Sequence, residues 1–108
     1  MEKEYELELE RSDETERRYG KGKSGCWEDV ESELLTPTFP IGKRSVARFA
    51  HETTAIIALR GAGGNDDEVR ALVRALLAAR SELRGLAREL IPTTRASSGL
   101  GRKRRGSA

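Results

Sequence analysis

The side chains that could do covalent or metal chemistry are few in this chain of 108 residues, which has one cysteine, Cys26, and one histidine, His51. A thiol beside an imidazole supports acyl transfer, but a single residue of each type is no sign that the two meet. The position of Cys26 next to Trp27 is typical of a small, buried, apolar residue. We expect His51 to be a solvated polar side chain. A metal site needs a cluster of such ligands, which the sequence lacks. We therefore predict no catalytic residue, no metal and no cofactor.

The segment from Gly20 to Ser24 reads Gly-Lys-Gly-Lys-Ser, which is similar to part of a phosphate-binding loop. That loop needs a glycine five positions before its Gly-Lys-Ser, and Arg17 stands there instead. Residues 11–25 are polar and contain several glycines near their end. This pattern predicts a flexible basic connector, which can still touch the phosphates of a nucleic acid.

Charge is distributed unevenly along the chain. Residues 92–108 contain five bases and no acid, so residues 1–91 hold fifteen bases against eighteen acids, a net charge of −3. The run from Arg102 to Arg105 can neutralise about 4 phosphates without reading a base sequence. A solvated tail or a nuclear-import signal would have the same composition. Because residues 92–108 have few apolar side chains to offset ordering entropy, we expect them to be disordered when alone.

Glutamate alternates strictly with apolar residues over positions 4–10, which predicts the first strand. A period of two places Tyr5, Leu7 and Leu9 on one face and four glutamates on the other. The glutamate face must then be solvated or meet a basic surface.

A short helix is predicted over residues 26–35. Ser24 can cap its first turn, and Trp27, Val30 and Leu34 share one face. The two prolines that follow cannot continue the helix, so the chain becomes extended beyond it.

Residues 45–61 are open to two interpretations. In the first, Ser45–His51 and Thr54–Arg60 are the strands of a hairpin, which the β-branched residues of this stretch favour. In the second, the stretch is a helix. One stripe of that helix would carry Val46, Phe49, Ala50 and Ile57. We favour the hairpin, whose second strand would be apolar on both faces and would need a cover on each. A partner protomer is the economical second cover.

A long amphipathic helix is predicted over residues 66–91, after the glycine-rich break at 61–64. Asn65 or Asp66 caps it, and Pro92 ends it. Its apolar face carries Val69, Leu72, Val73, Leu76, Leu83, Ala87 and Leu90. One flank gathers Arg70, Arg74, Arg80, Arg84 and Arg88.

Together these elements predict an α+β domain over residues 1–91, in the order β-α-β-β-α, followed by a disordered basic tail over 92–108. Two helices would cover one face of a three-stranded antiparallel sheet and leave the other face open. The sequence lacks a signal peptide, and no apolar run reaches the length of about 20 residues that spans a bilayer. We expect a soluble, cytoplasmic protein with no membrane contact.

The order of elements resembles the small dimerising subunit of the KEOPS complex (the Pcc family), which assists the synthesis of threonylcarbamoyladenosine in tRNA. The resemblance rests on the opening strand Tyr5–Glu10, a helix ending near Leu35-Thr36-Pro37, a hairpin with its second strand at Ala55–Leu59, and a closing helix with Asp67 and Arg70 near its start. It implies a non-catalytic accessory subunit. Two such subunits would pair through their sheets, and their helices would dock the threonylcarbamoyl-transferase subunit.

The resemblance also assigns contact positions. It implies strand-mediated pairing at Ile56 and Ala58, and partner contacts of the long helix at Leu76, Leu83 and Leu86. Electrostatics, rather than a family motif, selects the candidate contacts to tRNA or another nucleic acid. These are Arg70, Arg74, Arg84, Arg88, Arg102, Lys103, Arg104 and Arg105.

Two other functions stay open. A stand-alone nucleic-acid-binding accessory protein, for DNA mobilisation or RNA binding, would use the helical interpretation of residues 45–60 and the arginines as its surface. It would read backbone and shape, because the predicted sheet offers only Tyr5 and Phe49 for base stacking. A plain protein-interaction adaptor would use the basic tail for solubility alone. Pairing with itself and pairing with a paralogue are equally compatible with the sequence.

Overall fold

The computed structural model describes residues 7–91 and shows an α+β fold with a three-stranded antiparallel sheet, which confirms the predicted class. The strands lie in the order β1-β3-β2. The chain divides into two compact units between Leu77 and Ala78. In chain order the elements are β1 (Leu9–Glu10), α1 (Ser12–Tyr19), α2 (Lys23–Glu31), β2 (Phe39–Pro40), β3 (Val46–Phe49), α3 (Ala50–Gly61), α4 (Asp66–Ser81) and α5 (Leu83–Glu89).

The segment predicted as a flexible connector, residues 11–25, is largely helical. Helix α1 has acidic residues in its first turn and Arg17 and Arg18 in its last, as the helix dipole favours. The Glu14 carboxylate accepts a hydrogen bond of 2.9 Å from the Arg11 N–H. Gly20 ends the helix with a left-handed backbone, φ 83°. The connector prediction is wrong because these end signals outweigh the polar composition.

Helix α2 begins three residues earlier than predicted and ends at Glu31. Its N-cap is Gly22 rather than the predicted Ser24. The buried face is also different, since Cys26 is buried whereas Trp27 is 64% exposed. The prediction that Cys26 is a small buried residue is confirmed, and the placement of Trp27 on the buried face is wrong.

The favoured hairpin over residues 45–61 is half correct. β3 lies within its first strand, but Thr54–Arg60, predicted as the second strand, belongs to α3. A helix places Thr53 and Ile56 on one side of the chain, where both are fully buried, whereas a strand would leave two apolar faces to cover. Burial therefore overrides the β-branched preference of this stretch. The argument for a partner protomer that rested on this strand no longer holds.

The long C-terminal helix is confirmed over most of its length, with an interruption at Glu82 between α4 and α5. The Asn65 side-chain oxygen accepts a hydrogen bond of 2.9 Å from the Glu68 N–H, and the Glu68 carboxylate accepts one of 2.8 Å from the Asn65 N–H. This reciprocal cap confirms Asn65 as the N-cap.

The hydrophobic core lies among α2, α3, α4 and the segment that follows α2. Its buried members are Cys26, Leu35, Ile56, Val69 and Val73, and its half-buried surroundings are Tyr19, Val30, Leu34, Leu59, Leu72, Leu76 and Leu77. None of the residues in this core cluster lies on a strand of the sheet.

Candidate interaction surface

One face of the sheet, here called the inner face, carries Glu10 and Arg48, which are cross-strand partners. Both are buried, with exposed fractions of 2% and 4%. The Glu10 carboxylate accepts hydrogen bonds from the Thr15 hydroxyl on α1 and, at 2.7 Å, from the Thr53 hydroxyl on α3. Helices α1 and α3 therefore cover Glu10 and Arg48 on the inner face through a polar layer.

Arg48 and Arg18 supply the positive charge of this layer. The Arg48 guanidinium donates to the Thr15 hydroxyl and to the Thr36 carbonyl oxygen, each at 2.9 Å. Arg18 pairs with the Glu10 carboxylate from the edge of the layer. The expectation that the glutamate face meets a basic surface is thus met at Glu10.

The pKa of Glu10 depends on two opposing effects in the polar layer, burial and hydrogen bonding. Burial alone raises the pKa of this carboxyl, but hydrogen bonds from Thr15, Thr53 and Arg18, with the charge of Arg18, bring it below its ordinary value of 4.5. The layer therefore holds Glu10 as a carboxylate.

The opposite face of the sheet, here called the outer face, carries only apolar side chains within the described strands. Leu9 stands opposite Phe49, and Phe39 stands opposite Ala47. Directly opposed residues of antiparallel strands share a face, and positions 47 and 49 share one because side chains alternate. Leu9 is 47% exposed although it is a large apolar residue.

The outer face continues beyond the strand ends. The Ile41 N–H donates to the Ser45 carbonyl at 2.8 Å, which extends the β2–β3 pairing, and Ile41 is exposed. The Ala50 N–H donates to the Glu8 carbonyl at 2.8 Å, so alternation places the exposed Leu7 on the side of Leu9. The prediction that Leu7 and Leu9 share an apolar face is consistent with this pairing, and Tyr5 lies outside the described residues.

Aromatic rings form the centre of the outer face. The Phe39 and Phe49 ring centroids lie 4.9 Å apart in a tilted arrangement, and the His51 ring stacks on Phe49 at 5.6 Å. His51 is exposed, as predicted, but it lies in the first turn of α3 rather than in a hairpin turn. The rings give the face a rigid apolar centre with one polar residue at its rim.

The predicted interface residues lie on helices. Ile56 is fully buried in the core and Ala58 lies on α3, so strand-mediated pairing at these two positions is wrong. Leu76 packs against the core from α4. Leu83 and Leu86 are half-buried on α5, and their partner contacts stay a prediction.

The predicted arginine flank is partly engaged within the chain. Arg70 donates to the Ser32 carbonyl at 2.9 Å, and Arg74 pairs with the Glu33 carboxylate at 2.9 Å. Both arginines therefore hold the loop after α2. Arg84 and Arg88 are exposed on α5. The remaining candidates, Arg102, Lys103, Arg104 and Arg105, lie outside the described residues.

The only cysteine borders a hollow of about 250 Å³ that Trp27, Val30 and Arg48 also line. The Cys26 thiol donates to the Lys21 carbonyl at 3.5 Å, and burial raises its pKa. A thiol held in its neutral form is a poor nucleophile. Arg48 already serves Thr15 and Thr36, so the hollow gives no sign of a substrate.

Sequence reasoning missed Thr15, Thr53 and Arg48 as members of the polar layer, and Phe39 as a member of the aromatic centre. A Glu-x₄-Thr spacing across a strand–helix junction, as in Glu10 and Thr15, carries no general signature. The chain around Phe39 was predicted to be extended but was not placed in the sheet, although an edge strand tolerates the flanking prolines. Of the outer face, the sequence indicated Leu9 through alternation and Phe49 through its predicted strand.

Comparison with family models, with curated proteins and with solved structures finds no match for this chain. The resemblance to the Pcc family therefore stays a prediction, and Ala55–Leu59, one of the segments that carry it, is helical here. Within residues 7–91 no three His, Cys, Asp or Glu side chains are grouped so as to hold a metal ion. No helix in that part of the chain is long and apolar enough to cross a bilayer.

Proposed function

We propose that this protein is a non-catalytic assembly subunit whose outer sheet face is covered by another protomer. One observation carries the proposal: the charged Glu10 and Arg48 are buried on the inner face, whereas Leu9 on the outer face is 47% exposed. Taking a charge out of water costs several kcal/mol unless it is paired, while each Å² of apolar surface left in water forfeits about 25 cal/mol. The arrangement is favourable when a partner covers the outer face.

The buried chemistry supports a structural role for the inner face. Its carboxylate and guanidinium groups bond to hydroxyl and carbonyl groups of the same chain, as Glu10 does with Thr53 and Arg48 with Thr36. Such paired charges fix the packing of helices on a sheet. They leave the outer face as the apolar surface available for assembly.

A nucleic-acid contact is the second candidate function, favoured by the exposure of Arg84 and Arg88 on α5. In the setting that the family resemblance implies, the nucleic acid is tRNA and the docked partner is a threonylcarbamoyl-transferase subunit. Deleting residues 95–108 is expected to weaken tRNA binding and to flatten its salt dependence. Equal salt slopes for the full and truncated chains would exclude the tail as a phosphate contact.

Photo-crosslinking in cells tests the assembly role. A benzophenone amino acid replaces Leu9 on the outer face or, as a matched control, Trp27 on α2, which is the more exposed of the two. The proposal predicts a discrete crosslinked species from position 9 and none of the same mass from position 27. Weak crosslinking to many proteins, with the same pattern from positions 9 and 27, would contradict the proposal.

A further inference from the structure

Gly85 has no structural reason to be glycine within its own chain. It lies inside α5, where glycine is among the least favourable residues because it loses the most backbone freedom on folding. Its φ is not positive, so the backbone conformation does not demand glycine. A Cβ added at this position would meet nothing within 4 Å outside its chain neighbours and the backbone of its own helix. Neither conformation nor packing in the described part of the chain therefore explains the residue.

The arginines beside Gly85 are open to a ligand. Arg88 lies three residues after Gly85, and Arg84 lies four residues before Arg88, so the two arginines follow one flank of the helix next to the glycine. Both are exposed, and neither forms an ion pair with a described residue. A ligand that touches the helix at Gly85 would therefore meet two positive charges.

Two carboxylates limit this basic surface on the other side of the glycine. Glu82 lies three residues before Gly85 and Glu89 four residues after it, and both are exposed. Because these charges repel an anion, an anionic ligand is expected to lie across Gly85 and the arginines rather than across the glutamates. Gly85 is the point at the edge of the arginine flank where a ligand can approach the helix backbone without meeting a side chain.

The composition around α5 favours a chain of phosphates as the ligand. Residues 92–108 follow α5 directly and contribute five bases and no acid, so the positive charge extends well beyond one phosphate. Residues 78–108 contain no aromatic side chain on which a base could stack. Contact is therefore expected with the sugar–phosphate backbone, which carries no sequence information.

An anionic bilayer fits α5 less well than a nucleic acid does. A helix that binds in the plane of a bilayer buries a broad apolar face in the lipid. The large apolar side chains of α5, Leu83 and Leu86, are already half-buried within the chain. The missing side chain at Gly85 adds nothing to insertion into lipid, whereas it does admit a phosphate backbone.

We infer that Gly85 is the position at which the sugar–phosphate backbone of a nucleic acid approaches α5, with Arg84 and Arg88 pairing with its phosphates. This inference rests on the second candidate function above, since it names the side of α5 on which that nucleic acid lies. It predicts opposite effects for a side chain added at position 85, which are a more stable helix and a weaker complex.

Fluorescence anisotropy of labelled tRNA, titrated with the purified full-length protein at low salt, tests the inference. Gly85→Gln keeps the net charge and favours the helix, so its melting temperature by circular dichroism is expected to rise. Its affinity for tRNA is expected to fall about tenfold, the equivalent of one good contact. Gly85→Ala should change both quantities in the same directions by less, and it decides the question if Gly85→Gln does not fold.

Gly61→Gln is the matched control. Gly61 is the last residue of α3, and a Cβ added there also meets nothing within 4 Å. This variant is expected to bind tRNA with wild-type affinity. Arg88→Ala is the positive control, and is expected to weaken binding and to lower the salt slope by about 1.

Wild-type affinity in both variants at position 85, together with weaker binding by Arg88→Ala, would overturn the inference and leave the nucleic-acid contact in place. An equal loss of affinity in Gly61→Gln, or a lower melting temperature in both variants at position 85, would also overturn it. Absence of tRNA binding by the wild-type chain, whether or not it binds vesicles of anionic phospholipid, would overturn both the inference and the nucleic-acid contact.

Discussion

The inner and outer faces of the sheet share three strands, but within those strands the charged side chains lie only on the inner face. On β3, Arg48 points inward and is 4% exposed, while its neighbour Phe49 points outward at the centre of the apolar face. Charged side chains usually lie in water and large apolar ones inside. On this sheet the chain's own helices cover the charged residues, and the proposed assembly would cover Leu9 on the other side.

The inner face is tied to the fold by directional contacts. Glu10, Thr15 and Arg48 form a continuous set of hydrogen bonds between β1, α1 and β3. The outer face is held by ring contacts instead, Phe39 against Phe49 and Phe49 against His51. Substitutions on the inner face should therefore change the stability of one protomer, and substitutions on the outer face should change association.

The largest effect is expected at Arg48. Arg48→Ala leaves the Thr36 carbonyl and the Thr15 hydroxyl without their buried charged donor, and is expected to lower the free energy of unfolding by about 1–3 kcal/mol. Urea unfolding measures the loss. Arg48→Lys keeps the charge but not the forked geometry and should lose less. Arg88→Ala, on an exposed position of α5, should stay within about 0.5 kcal/mol of wild type. A loss at Arg48→Ala as small as that of Arg88→Ala would contradict a structural inner layer.

Acid sensitivity is expected to arise at Glu10. Its pKa is below 4.5 in the folded chain and near 4.5 in the unfolded chain, so the unfolded state binds the proton more readily. The stabilisation is fully present above pH 4.5 and is lost as the pH falls through the folded pKa. Glu10→Gln should be less stable than wild type near neutral pH and should flatten this dependence. Parallel stability–pH curves for the two proteins would contradict the assignment.

A smaller effect of opposite sign is expected at Thr36. Its hydroxyl is fully buried and has no hydrogen-bond partner among the described residues, although its carbonyl serves Arg48. Thr36→Val keeps the shape and removes the unpaired hydroxyl, so thermal unfolding should show a gain of about 1 kcal/mol. Thr36→Ser keeps the hydroxyl and loses the methyl group, and should show no gain. A loss in Thr36→Val would indicate a partner for the hydroxyl.

The smallest effect on the stability of one protomer is expected on the outer face. At dilutions where the chain is monomeric, Leu9→Gln should change the free energy of unfolding by no more than about 0.5 kcal/mol. At high concentration it should lower the melting temperature relative to wild type, because the wild type gains stability from association. A concentration-independent difference would place Leu9 in the protomer's own packing.

The sequence was informative where one periodicity dominated. Alternation around Leu9 and the cap at Asn65 identified β1 and the start of α4, and the apolar spacing identified Val69 and Val73 as buried. These signals are local, so they survive whatever the rest of the chain does.

The rest could not be predicted because it depends on contacts between distant residues. Thr53 and Ile56 have side chains typical of strands, and α3 forms because its buried side meets Glu10 and the core. Arg48 could be recognised as buried only once Thr15 and Thr36, which are far from it in sequence, were placed beside it. The sequence placed Leu9 and Phe49 of the outer face on strands, but it did not indicate that Phe39 joins the sheet beside Phe49.

Hydroxyl-radical footprinting across a concentration series tests whether the proposed assembly covers the outer face through self-association. Oxidation of Phe39 and Phe49, both half-buried in one chain, is expected to fall further as the protein concentration rises, because the proposed assembly would shield the rings. Oxidation of Trp27, 64% exposed on α2, should stay constant over the same series. Constant oxidation of all three rings at every concentration would contradict the account.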